Sequence, residues 1–192
     1  MSEAEISVVF AVKDAPSRGK NFGGHMANLE SVRIKPNPTG KDRSRYGGAS
    51  PTQLGAEWVD VKNVSQSPLN LNGVKLYHIA YSGPNDRNGH WDEVISFSGT
   101  LQPGQVIRVH SGSGPQSVLR DEDVAGATYH FFTGKNYVWN NDRSDRAALW
   151  VTGQSAPFDQ AYYDANPPEG VVLERVGDRF LAPSYAAAGR RY

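Results

Sequence analysis

The alternation of apolar and polar side chains predicts strands along most of this chain, most clearly over residues 57–77. Val59 and Val61 fall on one face of the first predicted strand, with the two-residue period of a strand that has one buried face. Its other face carries three side chains of mixed character, Trp58, Asp60 and Lys62. Polar residues 65–68 and the Asn-Gly pair at 72–73 predict turns. We therefore expect two strands joined by a short polar turn.

Short β-rich runs recur along the rest of the chain and predict further strands, separated by turns rich in Gly, Pro and Asn. They cover residues 5–13, 29–35, 78–81, 94–97, 106–110, 129–132, 146–151 and 158–163, and a hairpin over 171–181 that turns at 177–178. In 29–35 the alternation sets Leu29, Ser31 and Arg33 against Glu30, Val32 and Ile34. One helical turn is predicted at 120–127. About eight to ten short strands predict a β-sandwich or barrel.

The N-terminal segment carries the apolar residues Val8, Val9 and Phe10 in its predicted strand, and a glycine-containing linker follows at 15–25. The strand is either an edge strand of the same domain or a strand that pairs with a neighbouring subunit and forms a protein interface. This pattern divides the chain into an N-terminal strand and linker (1–24), a central sandwich (25–165), and a C-terminal hairpin with a mobile tail (166–192).

Basic side chains cluster on and beside the loop over residues 36–56, which has no apolar periodicity. The cluster consists of Arg33, Lys35, Lys41, Arg43 and Arg45, with Tyr46 placed to stack on a base. It is either an anion or nucleic-acid contact or a solvated loop. The 20 basic and 20 acidic residues of the chain favour the solvated loop, because no net positive charge draws the whole protein to a polyanion.

Two further features of the sequence restrict the chemistry and the location that we expect for the protein. The chain has no cysteine, which excludes disulfides, thiol nucleophiles and Cys-ligated metals. Its N-terminus places Glu3 and Glu5 before a short apolar run, unlike a secretory signal, and no apolar run has the length of a membrane span. We expect a protein that is cytoplasmic as synthesised, with export by a signal-independent route left open.

The motifs that carry chemistry are weak, so we expect a protein that is not an enzyme and needs no cofactor. A metal site between His78 and His110 is less expected than two ordinary strand histidines. The best oxygen-rich cluster is Asn140, Asp142 and Asp145, a weak calcium candidate. It lacks the glycine and the glutamate of an EF-hand loop, which favours a turn held by its own side chains.

Trp58 is out of phase with its buried neighbours Val59 and Val61. It is therefore either an exposed anchor of a protein interface or a residue packed under the 36–56 loop. The pattern does not choose between the two.

Four pieces of sequence, in order over roughly residues 27–163, resemble the lamin tail domain family, which occurs in nuclear lamins and in many bacterial proteins. The pieces are EWVDVKN (57–63), LNGVKL (71–76), LQPG (101–104), and VWNND (138–142) running on to AAL (147–149). Val74 stands where the family often has Trp, and Ser144-Asp145 where it often has Gly-Asp. The resemblance implies an all-β, immunoglobulin-like β-sandwich, here with an extra N-terminal strand and a C-terminal β-hairpin.

The function that the resemblance implies is a non-enzymatic structural or protein-binding module, without a shared catalytic site. Self-assembly through the terminal β segments is one form of that function. Two alternatives remain open: a nucleic-acid-binding module that uses the basic loop at 33–45, and a calcium- or carbohydrate-binding accessory domain.

Overall fold

Strands dominate the fold of this protein in a computed structural model that describes residues 28–40 and 48–183. The strands are β1 (Leu29–Lys35), β2 (Trp58–Asn63), β3 (Leu69–Asn70), β4 (Val74–Ala80), β5 (His90–Ser96), β6 (Thr100–Leu101), β7 (Val106–His110), β8 (Tyr129–Phe132), β9 (Asp145–Val151), β10 (Asp159–Tyr163), β11 (Leu173–Val176) and β12 (Arg179–Leu181). Two short helices, α1 (Pro51–Gly55) and α2 (Asp121–Val124), and a 3₁₀ turn at Gln116–Val118 connect them. The all-β prediction is confirmed.

Ten of these strands form one curled sheet in the order β5-β4-β9-β10-β12-β11-β1-β2-β7-β8, and β3 pairs with β6 separately. The sheet curls so that its two halves share one core. Buried residues of the first half, Leu29, Ile34, Val59, Val61 and Ile107, join those of the second half, Leu76, Ala147, Leu149 and Tyr163. Val59 and Val61 are buried as predicted, and each contributes roughly 1.5–3 kcal/mol before entropy is counted.

The pairing expected within residues 57–77 is wrong, although its strands exist. β2 lies between β1 and β7, while β4 lies between β5 and β9 in the other half of the sheet. The side-chain amide of Asn63 donates to the carbonyl oxygens of Ser67 (2.8 Å) and Leu101 (2.9 Å). These bonds fix the polar turn so that the chain crosses to the β3–β6 pair instead of returning along β2.

A β-bulge interrupts β1 between Ser31 and Arg33, and the alternation expected for 29–35 therefore fails in its second half. Leu29, Ser31 and Ile34 are all buried. The backbone N–H and the hydroxyl of Ser31 each donate to Asp159 Oδ2 at 2.9 Å, so the irregular position is satisfied by a buried carboxylate.

The C-terminal hairpin predicted over 171–181 is present, and it closes the sheet. β11 pairs antiparallel with β1, and β12 pairs parallel with β10. Leu173 and Phe180 belong to the core, and Arg175 donates to Asp159 Oδ1 at 2.5 Å. Both strands of the hairpin already have partners on each side. This corrects the expectation that the hairpin offers a free edge for self-assembly.

The 36–56 loop is partly ordered, which sequence periodicity did not predict. Its end forms α1, with Ser50 and Gln53 in a capping box: the Ser50 hydroxyl accepts from the Gln53 N–H, and Gln53 Oε1 accepts from the Ser50 N–H, both at 3.2 Å. The predicted strand over 5–13, the loop residues 41–47 and the tail over 184–192 lie outside the described residues.

Lys135, in the loop after β8, reaches β5 at the opposite end of the sheet. Its ammonium donates to the carbonyl oxygen of Glu93 at 2.5 Å and to Asp92 Oδ2 at 3.0 Å. A lysine at this position covers the edge of β5 with a charged group, a common protection of exposed strand edges. The two ends of the curled sheet are thus joined through one side chain.

Candidate binding groove

An aromatic groove lies on the outer face of β4, β5 and β9. Trp91, Trp150 and Tyr77 form one cluster, in which the Trp150 ring meets Trp91 edge-to-face at a centroid distance of 4.9 Å and Tyr77 at 5.1 Å. Trp91 is 36% exposed, and among the described residues it is one of two large apolar side chains that are exposed. The groove has a volume of about 330 Å³, and Lys75 and residues 151–155 complete its wall.

The strand register assembles this groove from residues that are distant in sequence. Lys75 and Tyr77 share one face of β4 because they are two residues apart. Lys75 lies opposite Trp150 on β9, and Tyr77 lies opposite Glu93 on β5. The three strands are hydrogen-bonded neighbours, so the aromatic rings stand on a rigid support.

Polar groups of the groove are paired with one another. Lys75 Nζ donates to Glu93 Oε2 at 2.7 Å, and the Ser96 hydroxyl donates to Oε1 at 2.7 Å. Partial burial acts to raise the pKa of Glu93, but the hydrogen bonds from Lys75 and Ser96 outweigh it and hold the pKa below its usual value. Burial, together with the neighbouring Glu93 carboxylate, raises the pKa of Tyr77. Lys75 of the groove wall and Glu93 beside it therefore form an ion pair at the edge of the groove.

Trp58 is buried, which corrects its possible role as an exposed interface anchor and leaves the other alternative, a packed residue. It is 1% exposed, the Arg108 guanidinium lies 3.6 Å above its ring, and its indole N–H donates to Asp123 Oδ1 at 2.8 Å. Asp123 belongs to α2. This helix and Arg108 therefore cover Trp58, and its ring does not form part of an exposed surface. Trp58 is buried because positive charge on this outer face of the sheet, from Arg108 and Lys35, holds the acidic helix α2 against it.

The described members of the basic cluster are also committed to internal partners. Arg33 Nε donates to Asp60 Oδ2 at 2.9 Å. Lys35 is 4% exposed and donates to Asp123 Oδ1 at 2.7 Å. This corrects the anion or nucleic-acid contact considered for Arg33 and Lys35, because each cation is already paired with a carboxylate of the fold, which for Arg33 is the Asp60 that also pairs with Arg108. The other members, Lys41, Arg43, Arg45 and Tyr46, lie outside the described residues.

The weak calcium candidate forms a hydrogen-bonded turn instead. Asp145 is buried, and its Oδ2 accepts from the backbone and side-chain amides of Asn140 at 3.0 and 2.8 Å. Its Oδ1 accepts from the N–H groups of Ile79 (2.8 Å) and Arg146 (2.7 Å). Both oxygens of Asp145 are thus used by protein donors, which agrees with the favoured turn and counts against the weak calcium candidate of Asn140, Asp142 and Asp145. Within 28–40 and 48–183 no group of three or more His or carboxylate side chains is placed to hold a metal ion.

The two histidines considered as a metal pair lie in different environments. His78 Nδ1 is 3.1 Å from Asp145 Oδ2, whereas His110 Nε2 is 2.9 Å from Nδ1 of His130. Burial lowers the pKa of His110 to about 4, so its ring is neutral at physiological pH. Both are structural groups of the sandwich.

Glu57, immediately before β2, is a buried carboxyl that holds a distant segment. It accepts hydrogen bonds from the backbone N–H groups of Val138 (2.7 Å) and Trp139 (3.3 Å) and from the Ser111 hydroxyl. Burial raises the pKa of Glu57 to about 8, and these hydrogen bonds offset that effect only in part. The carboxyl is therefore largely protonated at neutral pH.

Because of the raised pKa of Glu57, we expect the free energy of unfolding to fall between pH 6.5 and 8. In the unfolded chain Glu57 has its ordinary pKa of 4.5 and has released the proton that the folded state retains. The free energy of unfolding therefore falls as pH rises to about 8. His110 acts in the opposite direction only below its ordinary pKa of 6.5. We expect a net slope of up to about 1.4 kcal/mol per pH unit in urea unfolding. Glu57→Gln should flatten that slope, and a flat wild-type profile would contradict the assignment.

The curled sandwich and its surface groove define an immunoglobulin-like β-sandwich of the kind used for structure and interaction. The chain belongs to the lamin tail domain family: a sequence model described as Lamin Tail Domain matches residues 27–164, well over half of the chain. The resemblance inferred from the four sequence pieces is confirmed. No curated protein matches the chain. In the described ranges no helix is long and apolar enough to cross a membrane.

Sequence reasoning did not identify the groove. Of the four tryptophans it singled out Trp58, which is buried, and passed over Trp91 and Trp150. The available signal was weak: Trp91 follows a turn-rich loop, and Trp150 falls in a predicted strand. The register of β5 and of β9 against β4 brings these rings together.

Proposed function

We propose that this chain is a non-catalytic interaction module that holds its partner in the aromatic groove of β4, β5 and β9. The observation that carries this proposal is the contact of Trp91, Trp150 and Tyr77 beside a paired Lys75–Glu93. Trp and Tyr are the residues that most often dominate binding energy, because they offer large contact areas at a small cost in side-chain entropy. A rigid sheet supports them.

The buried carboxyl groups support a role without catalysis. Glu57, Asp60 and Asp145 each accept hydrogen bonds from several protein donors. Groups used in this way hold strands and turns together, and they do not face the groove. Their burial is explained by structure alone.

A photo-crosslinking residue at Gln154 tests the groove without assuming the ligand. In cells that express the full chain, we expect an adduct at this position that is lost when Trp91→Ala is added. The matched control places the same photoreactive residue at Ser117, in the 3₁₀ turn. Equal adducts at both positions, or an adduct that does not depend on Trp91, would overturn the proposal.

Self-association through the N-terminal segment is a second candidate. Within the described ranges β8 is the last strand at one end of the sheet, and an open edge of this kind accepts a further strand. The segment over 5–13, with Val8, Val9 and Phe10, has the composition of such a strand. Light scattering should give an oligomeric mass for the full chain and a monomeric mass for residues 25–192. Two monomers would exclude this route.

A nucleic-acid contact through residues 33–45 has lost support. Arg33 and Lys35 are held by Asp60 and Asp123, and so two of its five cations serve the fold. The proposed function therefore rests on the aromatic groove of β4, β5 and β9.

A further inference from the structure

We infer that the ligand of the aromatic groove is a short, uncharged saccharide of one or two pyranose rings. This inference rests on the proposed function, because it specifies the chemistry of the partner held in that groove.

The aromatic walls fit a ring with one apolar face. Trp91 and Trp150 stand at 80° to each other, which gives the groove a corner rather than a flat platform. The face of an aromatic ring is electron-rich, and it attracts the weakly positive C–H groups of a pyranose ring. Trp91 is the more exposed ring of the groove, and Trp150 stands at 80° to it, so a pyranose ring that enters this corner contacts both indoles.

Charge in the groove favours a neutral ligand. Lys75 and Glu93 form an ion pair at 2.7 Å, and each side chain remains about a third exposed. A charged ligand would have to compete with a partner already in contact, and it would leave the other member of the pair uncompensated. An uncharged ligand can contact both groups without separating them.

Hydrogen-bonding capacity distinguishes a saccharide from a proline-rich peptide, the other common occupant of aromatic grooves. In the groove wall Lys75 only donates, whereas Gln154 and Ser155 donate and accept. Glu93, which contacts Lys75 beside the wall, only accepts. Saccharide hydroxyls also donate and accept, so they match the whole set. A run of prolines presents only carbonyl acceptors and has nothing to donate to Glu93.

Size restricts the ligand to a small one. A volume of about 330 Å³ lies near the lower limit of the usual range of ligand pockets, about 300–1,000 Å³. The segment 151–155 closes one side of the groove beside Trp150. This geometry suits the end of a saccharide chain rather than a long polymer lying across the sheet.

Isothermal titration of the full chain with cellobiose, maltose, xylobiose and diacetylchitobiose tests the inference. We expect saturable binding of at least one disaccharide, with a blue shift of tryptophan fluorescence. Trp91→Ala should weaken that binding at least about tenfold, and Gln154→Ala, in an exposed loop that tolerates substitution, should weaken it by a smaller factor. Val64→Ala is the matched control, because Val64 is the other exposed large apolar residue among residues 28–40 and 48–183 and does not line the groove.

The outcomes separate this inference from the function on which it rests. Absence of saccharide binding, together with a protein adduct at Gln154 that depends on Trp91, would overturn the saccharide and keep the interaction module. Absence of both would overturn both. Disaccharide binding that survives Trp91→Ala and Gln154→Ala would place the site elsewhere. Binding of a proline-rich peptide that depends on Trp91 would also overturn the saccharide.

Discussion

A chain that ends at Asp164 is expected to lose cooperative unfolding, even though it retains the whole of the family match. The truncation removes β11 and β12, and these strands join β1 to β10. Without them the curled sheet separates into two halves with open edges. Circular dichroism in the near ultraviolet and urea unfolding should show a broad transition, or none, for this variant.

Packing explains the size of this effect. Leu173 and Phe180 leave the core, and together they contribute about 3–6 kcal/mol of burial. Asp159 also loses Arg175, although it remains buried beside Ser31. Small domains are stable by about 5–15 kcal/mol in total, so the loss consumes much of that margin.

A chain that ends at Pro183 is the control for the truncation. It retains the hairpin and removes only residues outside the described ranges. We expect it to unfold with the midpoint of the full chain. Equal midpoints for the chains that end at Asp164 and at Pro183 would show that the hairpin does not support the sheet.

Asp60→Asn is expected to lower the free energy of unfolding by about 3–5 kcal/mol. Asp60 is fully buried and accepts from Arg108 Nε at 2.7 Å, from Arg108 Nη2 at 2.9 Å and from Arg33 Nε at 2.9 Å. Asparagine removes the negative charge and turns an amide N–H₂ toward guanidinium donors. The buried Arg108 is then left without a counter-charge. Removal of one partner of a buried ion pair is strongly destabilising because the other charge remains buried and uncompensated.

Asp164→Asn provides the matched control. Asp164 pairs with Arg179 on the surface, where solvent screens the interaction, and we expect a change below about 1 kcal/mol. Urea unfolding of both variants at neutral pH gives the comparison. A change at Asp60 no larger than that at Asp164 would show that the buried pair contributes little to stability.

The sequence predicted where most strands lie because alternation reports which side of a strand is buried. It did not predict which strands pair. The first strand of residues 57–77 was expected to pair with the chain that returns after the turn at 65–68, yet the bonds of Asn63 direct the chain to the other half of the sheet. The bulge at Ser31 was also hidden, since its cause is Asp159, far along the chain.

Candidate site residues were harder to predict for a related reason. The pattern left Trp58 open between an exposed anchor and a packed residue, and it placed Lys35 in a cluster expected at the surface. In the structure α2 covers both through Asp123. A four-residue helix with three acidic residues gives a weak signal, although a helical turn was correctly expected there. The aromatic groove depends on the register of three strands, which no local pattern contains.

The position of the C-terminal hairpin also has a consequence for the order of folding. β1 is made early during translation, but its partner β11 follows after roughly 140 further residues, as in the pair Arg33 and Glu174. Contacts between residues so distant in sequence slow folding, because a long loop must close first. A nascent chain therefore exposes the unpaired edges of β1 and β10 until the hairpin leaves the ribosome, and exposed strand edges of this kind favour aggregation during that interval.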